Sequence, residues 1–357
     1  MSWGLSWGQP LGFTPGTVHV GDSPGEDARS AVAIIGGMRT PRIKIAPELG
    51  EAVYHCFTRT VNGEFLFEDT DKEILRKQMW QVADFCGIRI ITHDILSNHF
   101  HVKILVPKKA DISDAEMLRR YQVLYPRPTP YQPARREVIE KWLVTGSPEG
   151  RAWRARMLAL MGDVSAFMQL LKQRFSIWFN KNHKRYGTLW SQRFTSILVE
   201  RPIPAMAVYI DLNCVRADLV TDPKDYRFCG YGEAVAGNER ARAGLCLLFG
   251  ETDWSNVQAN YRQMLFATGA GFRSKGAKIS QADFQRVIAE GGRLPLADVL
   301  RCKVKYFTQG AVLGSRAFVE TQLVAYRQRT GRQLRMAPYP VPPIADWGEL
   351  MTLHAVR

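Results

Sequence analysis

Two histidines one residue apart are the first feature of this sequence that could do chemistry. His99 and His101 lie in the stretch "SNHFHVKILV" at 97–106, and the whole chain has only seven histidines. Side chains alternate between the two faces of a β-strand, so a strand here presents both imidazoles on one face and Phe100 on the other. Two imidazoles on a rigid strand suit a divalent metal ion, whereas the alternative is a partly exposed pair with no ligand role.

Other metal sites that use a His-x-His pair fit this sequence poorly. A cupin would have a glutamate a few residues downstream, but the residues that follow are "VKILVPKK". An amidohydrolase barrel would need further histidines and eight strand–helix units, and after the pair only His183 and His354 remain. The pair therefore requires a third ligand from another part of the chain.

The stretch "YIDLN" at 209–213 offers such a ligand together with a nucleophile. Tyr209 and Asn213 are four residues apart, so they share one face of a helix, beside its apolar stripe. An asparagine oxygen is a reasonable ligand for Mg²⁺ or Mn²⁺, and it would bring the Tyr209 hydroxyl near the ion. A tyrosine oxygen beside a metal that polarises a phosphodiester is a potential nucleophile. The alternative for Tyr209 is a boundary residue hydrogen-bonded at the helix edge.

The charge balance indicates a polyanionic partner. The 357-residue chain has 48 Lys and Arg against 34 Asp and Glu, a formal net charge of +14. The simplest such partner is nucleic acid, and the alternative is a basic surface with no partner. A membrane is not expected as a partner, because no run of about 20 apolar residues occurs.

Residues 164–199 combine six basic residues with several aromatic ones and contain no acidic residue. Basic groups that follow phosphates and aromatic rings that stack on unpaired bases are typical of single-strand binding, although the aromatics could instead fill the core. We expect Trp178 and Phe194 to be core residues. The predicted DNA contacts are Lys184, Arg185, Trp190 and Arg193, with Arg59 from the first strand.

The elements that must position these residues begin with a strand at 51–61. A helix follows over 70–86, where Thr70 and Glu73 have capping-box spacing and Gly87 suits the C-terminal end. Two strands then lie on either side of Ser97–Asn98. The predicted order is strand, helix, strand, strand.

The chain divides into three parts. Residues 1–40 form a Gly- and Pro-rich tail without a secretory signal, and 41–236 form the main domain, with an insertion at about 108–160. Residues 237–357 are basic and mostly helical, with either a helix-turn-helix-like unit or a plain basic helical tail near 301–336. The six cysteines have no CxxC spacing, which favours reduced thiols in the cytoplasm.

Taken together, these motifs resemble the single-tyrosine HUH transposases, and in particular the REP-associated tyrosine transposases of the insertion-sequence 200-like group. The matching stretches cover residues about 40–236: "YHCFTRTVNGEFLF", "NHFH", "FNKNHKRYGTLWSQRFTSILVE" and "YIDLNCVRADLVTDPKDYRFCGY". One departure is visible, because the family usually has proline after the asparagine and this chain has Cys214. Proline there would bend the helix and set the position of the asparagine, so the alternatives to Asn213 as third ligand are Asp211 and a water.

The resemblance implies a fold and an activity. The fold would be an α+β, ferredoxin-like HUH domain with a central antiparallel sheet flanked by helices. His99, His101 and Asn213 would bind Mg²⁺ or Mn²⁺, and Tyr209 would attack single-stranded DNA, giving a 5′-phosphotyrosine link and a free 3′-hydroxyl. The partner would be DNA with palindromic hairpins, the location cytoplasmic and nucleoid-associated, and the protein a possible homodimer. The alternatives are a hairpin-binding protein without cleavage and a replication-initiator or relaxase nickase.

Overall fold

A seven-stranded sheet positions the candidate site. The computed structural model describes residues 42–45, 50–127, 132–201, 203–270, 308, 310–331, 336–340 and 350–355. The strands are β1 (Ala52–Arg59), β2 (Arg89–Ile95), β3 (His99–Val106), β4 (Thr195–Val199), β5 (Val312–Gly314), β6 (Met336–Pro340) and β7 (Met351–Ala355). Their order in the sheet is β2-β3-β1-β4-β5-β7-β6. With helices against this sheet, the predicted α+β class is confirmed.

Eleven helices are described. They are α1 (Asp69–Cys86), α2 (Asp114–Leu124), α3 (Arg136–Val144), α4 (Pro148–Leu160), α5 (Val164–Asn182), α6 (Pro204–Asp211), α7 (Asn213–Arg216), α8 (Gly230–Val235), α9 (Glu239–Cys246), α10 (Trp254–Ala270) and α11 (Arg316–Thr330). The segment at 108–160, predicted as an insertion with helical pieces, holds α2, α3 and α4. None of the described helices has the length and hydropathy needed to span a lipid bilayer.

Helix α1 begins earlier than its sequence pattern predicts. Its capping box is formed by Glu68 and Asp71, and the Glu68 N–H donates to Asp71 Oδ2 at 2.9 Å. The Thr70–Glu73 pair therefore does not cap the helix, and the Glu73 carboxylate binds Arg76 instead. At the other end Gly87 has φ 66°, a left-handed conformation that glycine adopts without strain, as predicted.

The two faces of the sheet have different neighbours. On one face Phe100 of β3 contacts Trp190 at 5.7 Å between ring centroids, and Trp190 contacts Phe175 of α5 at 6.0 Å. On the other face Lys103 of β3 donates to the Ile203 carbonyl at 2.6 Å, just before α6. The alternation of side chains along β3 thus separates an apolar layer from a polar one.

The C-terminal part of the chain extends this sheet, which was not predicted. Strand β5 pairs with β4 in parallel, and β7 pairs antiparallel with both β5 and β6. The sheet is therefore not purely antiparallel, and the described part of 237–357 contains three strands besides the expected helices. These strands are three to five residues long, and the short "VLG" and the proline-containing "MAPYP" carry little strand periodicity. Helix α11 begins after Ser315, whose side chain accepts from the Phe318 N–H and so caps the helix.

Residues 1–40, predicted as a flexible tail, lie outside the described residues. Residues 301–307, 309 and 332–335 also lie outside the described residues. They belong to the segment 301–336, for which a helix-turn-helix-like unit was one of the two predictions.

Candidate active site

A cleft of about 640 Å³ lies at the end of the sheet where β1 ends and β3 begins. It brings together six of the nine predicted site residues. These are Arg59, His99, His101, Arg193, Tyr209 and Asn213. Arg216 adds a third arginine to the lining, and no aspartate or glutamate is among the described residues that line it. Such a lining favours an anionic ligand.

The strand register places the two histidines side by side. His99 is opposite Arg59 and His101 is opposite Phe57 on β1, so the alternation predicted from the sequence is present. The imidazole centroids are 5.2 Å apart and the rings are nearly perpendicular. Both side chains reach the cleft, as a metal pair requires.

Asn98 fixes the tautomer of His99. Its Nδ2 donates to the Gly63 carbonyl at 3.0 Å, which determines the orientation of the amide. The Asn98 Oδ1 therefore faces His99 Nδ1, at 2.5 Å, and must accept its proton. As a result the lone pair of His99 is on Nε2, the nitrogen that remains available to an ion.

His101 is held in the same manner by a third histidine. His55 of β1 is completely buried, and its Nε2 lies 2.8 Å from His101 Nδ1. The two rings are stacked, with centroids 5.1 Å apart. When His55 Nε2 accepts the proton of His101 Nδ1, Nε2 of His101 is the nitrogen left for a ligand. Partners of this kind orient metal-binding imidazoles in proteins.

Burial keeps both site histidines neutral. Burial, together with the smaller effect of the nearby Arg59 guanidinium, lowers the pKa of His99 to about 4. Burial also holds the pKa of His101 well below its usual value, with His55 acting in the same direction. A metal ion binds only the neutral imidazole, so both rings are in the binding-competent form at neutral pH.

Tyr209 and Asn213 reach the cleft from two short helices that follow one another. Pro204 stands in the first turn of α6, which ends at Asp211, and α7 begins at Asn213. Leu212 between them keeps helical backbone angles, φ −85° and ψ −2°, so the four-residue spacing still places both side chains on one side. The Tyr209 ring lies 6.1 Å from the His101 ring. Asn213, which Cys214 follows, is part of the cleft lining.

Arg216 connects these two residues. Its guanidinium carbon lies 4.2 Å from the centroid of the Tyr209 ring, and its Nη2 donates to Asn213 Oδ1 at 2.6 Å. The same nitrogen donates to the Tyr209 carbonyl. Arg216 therefore fixes the orientation of the Asn213 amide and packs against the phenol ring. Its charge opposes the effect of burial, which raises the pKa of Tyr209.

The donor set fits a weakly held divalent ion. Two neutral imidazole nitrogens and the second lone pair of Asn213 Oδ1 are available, and no carboxylate is among the described residues of the cleft lining. Among the described residues, no three His, Cys, Asp or Glu side chains are grouped closely enough to hold an ion. An ion here would thus depend on oxygen atoms supplied by a bound ligand, as Mg²⁺ does at many phosphate sites.

A layer of buried charged groups lies behind the cleft. Asp211 of α6 accepts from Thr92 Oγ1 at 2.6 Å and from Tyr261 Oη at 2.5 Å, and burial raises its pKa to about 7. Burial lowers the pKa of Lys103 to about 7, against the attraction of Asp211. These hydrogen bonds attach α6, and with it Tyr209, to β2 and α10.

Three of the predicted DNA contacts, Lys184, Arg185 and Trp190, lie outside the cleft lining. Trp190 is only 7% exposed, and its ring packs against Phe67 and Phe175. Its burial leaves no open face for a base, so the predicted stacking role does not fit. Lys184 and Arg185 belong to the loop after α5 and are not part of the cleft lining.

Phe194 is buried, as expected, whereas Trp178 is half-buried.

His55 and Arg216 are not among the site residues predicted from the sequence. His55 lies in "VYHCF", where strand alternation places it on the same face as Phe57, the residue opposite His101. Arg216 follows Asn213 by three residues, which is helical contact spacing. Both signals were present in the sequence, but neither could be used without the register and the helix continuity.

Comparison with known protein families and with curated proteins finds no match. Among solved structures, the chain is similar to a REP-associated tyrosine transposase bound to a REP hairpin. That protein is 14% identical, the match covers 52% of this chain and 80% of that chain, and the TM-score is 0.30.

Proposed function

We propose that this protein cleaves and rejoins single-stranded DNA, using Tyr209 as the nucleophile and a divalent cation, Mg²⁺ or Mn²⁺. The observation that carries the proposal is the convergence of His99, His101, Asn213 and Tyr209 on one arginine-lined cleft. The substrate would be a strand flanked by palindromic hairpins, in line with the resemblance of the sequence motifs.

The three arginines support a phosphodiester as the ligand. Arg59, Arg193 and Arg216 line the cleft, and a guanidinium recognises phosphate oxygens through paired hydrogen bonds. Three such groups around one phenol would concentrate positive charge where a phosphate must sit. Two phosphates flanking the one attacked would satisfy the remaining arginines, which favours a polymer over a small phosphate ester.

His99, His101 and Asn213 would hold the cation. A divalent ion bound there would neutralise charge on the phosphate and help to align it for attack. Asn98 would keep His99 in the tautomer that leaves Nε2 available, and His55 would do the same for His101 by accepting the proton of its Nδ1. Arg216 would keep the Asn213 amide oriented through its hydrogen bond to Oδ1.

The chemical step needs no external energy source. The Tyr209 oxygen forms a bond to phosphorus while the bond from phosphorus to the 3′-oxygen breaks. The phenolic proton passes to water and the departing 3′-oxygen takes up one proton, so the charges balance. The product is a 5′-phosphotyrosine and a free 3′-hydroxyl, and attack by a 3′-hydroxyl on that link rejoins strands. Burial raises the pKa of Tyr209, so the phenol is protonated before the substrate binds.

A denaturation-resistant protein–DNA adduct tests this proposal. Wild-type protein is incubated with labelled single-stranded DNA that contains a hairpin, in the presence of Mn²⁺ or Mg²⁺. We expect an adduct with wild type and none with Tyr209→Phe, which keeps the ring against Arg216. Tyr186→Phe is the matched control, because it removes a tyrosine hydroxyl outside the cleft, and it should form the adduct. An adduct of undiminished yield with Tyr209→Phe would exclude Tyr209 as the nucleophile.

The second candidate is a hairpin-binding protein that does not cleave DNA. It is favoured by one observation, that Asn213 Oδ1 already accepts a hydrogen bond from a cationic group. In this case both wild type and Tyr209→Phe would bind the hairpin with equal affinity, and neither would form an adduct with either metal ion.

A further inference from the structure

Two aromatic side chains beside the candidate site are almost fully exposed. Phe65 is 81% exposed and Tyr186 is 95% exposed, whereas most large apolar side chains of the described residues are buried. A single exposed ring on a surface needs no explanation, but two in neighbouring loops suggest a common partner. An exposed ring gains free energy when a flat apolar ligand covers it.

The loops that carry the two rings are joined. The Val61 N–H donates to the Leu189 carbonyl at 2.9 Å, and Thr60 forms an isolated β-bridge with Trp190. Below them Phe67 packs on Trp190, with the ring centroids 5.8 Å apart. Residues 60–67 and 183–190 therefore form one surface, here called the loop platform.

Local hydrogen bonds hold the loop platform in shape. The Thr60 hydroxyl donates to the Glu64 carbonyl at 2.7 Å, next to Phe65. In the other loop the Arg185 N–H donates to the Asn180 carbonyl at 2.9 Å, and Asn180 Nδ2 donates to the Gly187 carbonyl at 3.0 Å. Tyr186 is thus held between two contacts to the end of α5. Loops fixed in this way lose little conformational entropy on binding.

Both segments of the loop platform adjoin residues that line the cleft. Arg59, which lines the cleft, directly precedes Thr60, and Ser191, Gln192 and Arg193, which also line it, directly follow Trp190. The loop platform is therefore continuous along the chain with the lining of the cleft, next to the position proposed for the phosphate.

We propose that Phe65 and Tyr186 stack on unpaired bases of the DNA strand that enters the cleft. This inference rests on the proposed function, since it assigns the base contacts of the same site. Lys184 and Arg185 directly precede Tyr186 and supply charge for the phosphates between the bases. Glu64, the acidic neighbour of Phe65, is engaged by Asn62 Nδ2 at 3.1 Å. A duplex does not suit this surface, because its bases already stack on one another.

Two oligonucleotides of equal length separate base stacking from charge. One is an ordinary single strand and the other has abasic sites in place of the nucleotides beside the scissile phosphate, so both carry the same phosphates. We expect Phe65→Ala and Tyr186→Ala each to weaken binding of the ordinary strand about tenfold, the effect of losing one stacked base. Binding of the abasic strand should change less than about twofold by the same principle, since no base is present to stack.

Val144→Ala is the matched control, because Val144 is 89% exposed and lies in α3 of the insertion. It should bind both strands as wild type does. Tyr186→Phe keeps the ring and should restore binding, which would assign the effect to stacking and not to the hydroxyl group.

Equal weakening of both strands by the alanine variants would overturn the proposal, because the rings would then act on the backbone. Unchanged binding of the ordinary strand would overturn it as well. In either case, an adduct that depends on Tyr209 would still support the proposed function. If instead no adduct forms but the alanine variants still weaken binding of the ordinary strand, the cleavage activity is excluded and the stacking surface remains.

Discussion

The two faces of β3 give the sharpest contrast in the molecule. Phe100 and His101 are consecutive residues and both are buried, yet they lie in opposite environments. Phe100 packs among aromatic rings beneath α5, where burial of apolar area stabilises the fold. His101 lies under α6 beside His55 and Tyr209, where burial of a polar ring is unfavourable unless it is hydrogen-bonded.

This contrast indicates that apolar burial on the α5 face stabilises the fold and offsets the cost of burying polar groups on the α6 face. The α6 face contains His55, His101, Lys103 and Asp211, all of them buried and held by specific hydrogen bonds. Burial lowers the pKa of His101 and of Lys103 and raises the pKa of Asp211, and in each case this favours the neutral form of the group. Such perturbed groups in one place are typical of functional sites.

The largest expected effect is on the α6 face. His101→Ala should reduce the rate of adduct formation about 1000-fold, because loss of the cation removes several kcal/mol of charge stabilisation. The rate is measured by single-turnover assays with Mn²⁺. His183→Ala is the control, because His183 pairs with Asp71 and is not part of the cleft lining. Full activity of His101→Ala would mean that the cation, if needed, binds elsewhere.

Substitution of Phe100, the residue before His101, should reduce stability and leave metal binding unchanged. Phe100→Ala should lower the free energy of unfolding by about 3–5 kcal/mol through the cavity it leaves. Below its melting temperature, the remaining folded protein should bind Mn²⁺ like wild type. Urea denaturation followed by tryptophan fluorescence measures the loss.

Phe65→Ala serves as the comparison for Phe100→Ala, since it removes an equal ring from an exposed position. Its unfolding midpoint should stay near that of wild type. If Phe100→Ala abolished Mn²⁺ binding in the folded state, the two faces would not be separable.

Acid should weaken the polar face selectively. The pKa of His99 and of His101 is lowered on folding, so the unfolded chain binds more protons than the folded one. The stability they support is fully present above the unfolded pKa of about 6.5, and it falls as the pH drops below that value. Urea midpoints measured between pH 7.5 and pH 5 should therefore decline. A His99→Gln variant should show a smaller decline, and an equal decline would assign the effect to other groups.

The smallest effect concerns the arginines at the rim. Arg193→Gln should weaken binding of a single strand only several-fold and reduce the dependence of log affinity on log salt concentration by about one. Titration of labelled DNA at several salt concentrations provides both numbers. Arg136→Gln, in the insertion outside the cleft, should leave the salt dependence unchanged. An unchanged slope for Arg193→Gln would mean that Arg193 does not contact a phosphate.

The sequence by itself determined the elements whose periodicity is strong and local. The order β1, α1, β2, β3 and the shared face of His99 and His101 follow from alternation and helical spacing. The four-residue spacing of Tyr209 and Asn213 follows in the same way, because each pattern depends only on neighbours along the chain.

Only the tertiary structure decided which distant residues meet. The pairing of His55 with His101 depends on strand register, and the burial of Trp190 depends on its packing against Phe67 and Phe175. The short strands β5 to β7 form because β5 pairs with the edge of β4, a contact that their own sequences do not indicate. Register, burial and edge pairing arise from long-range contacts, which no local pattern encodes.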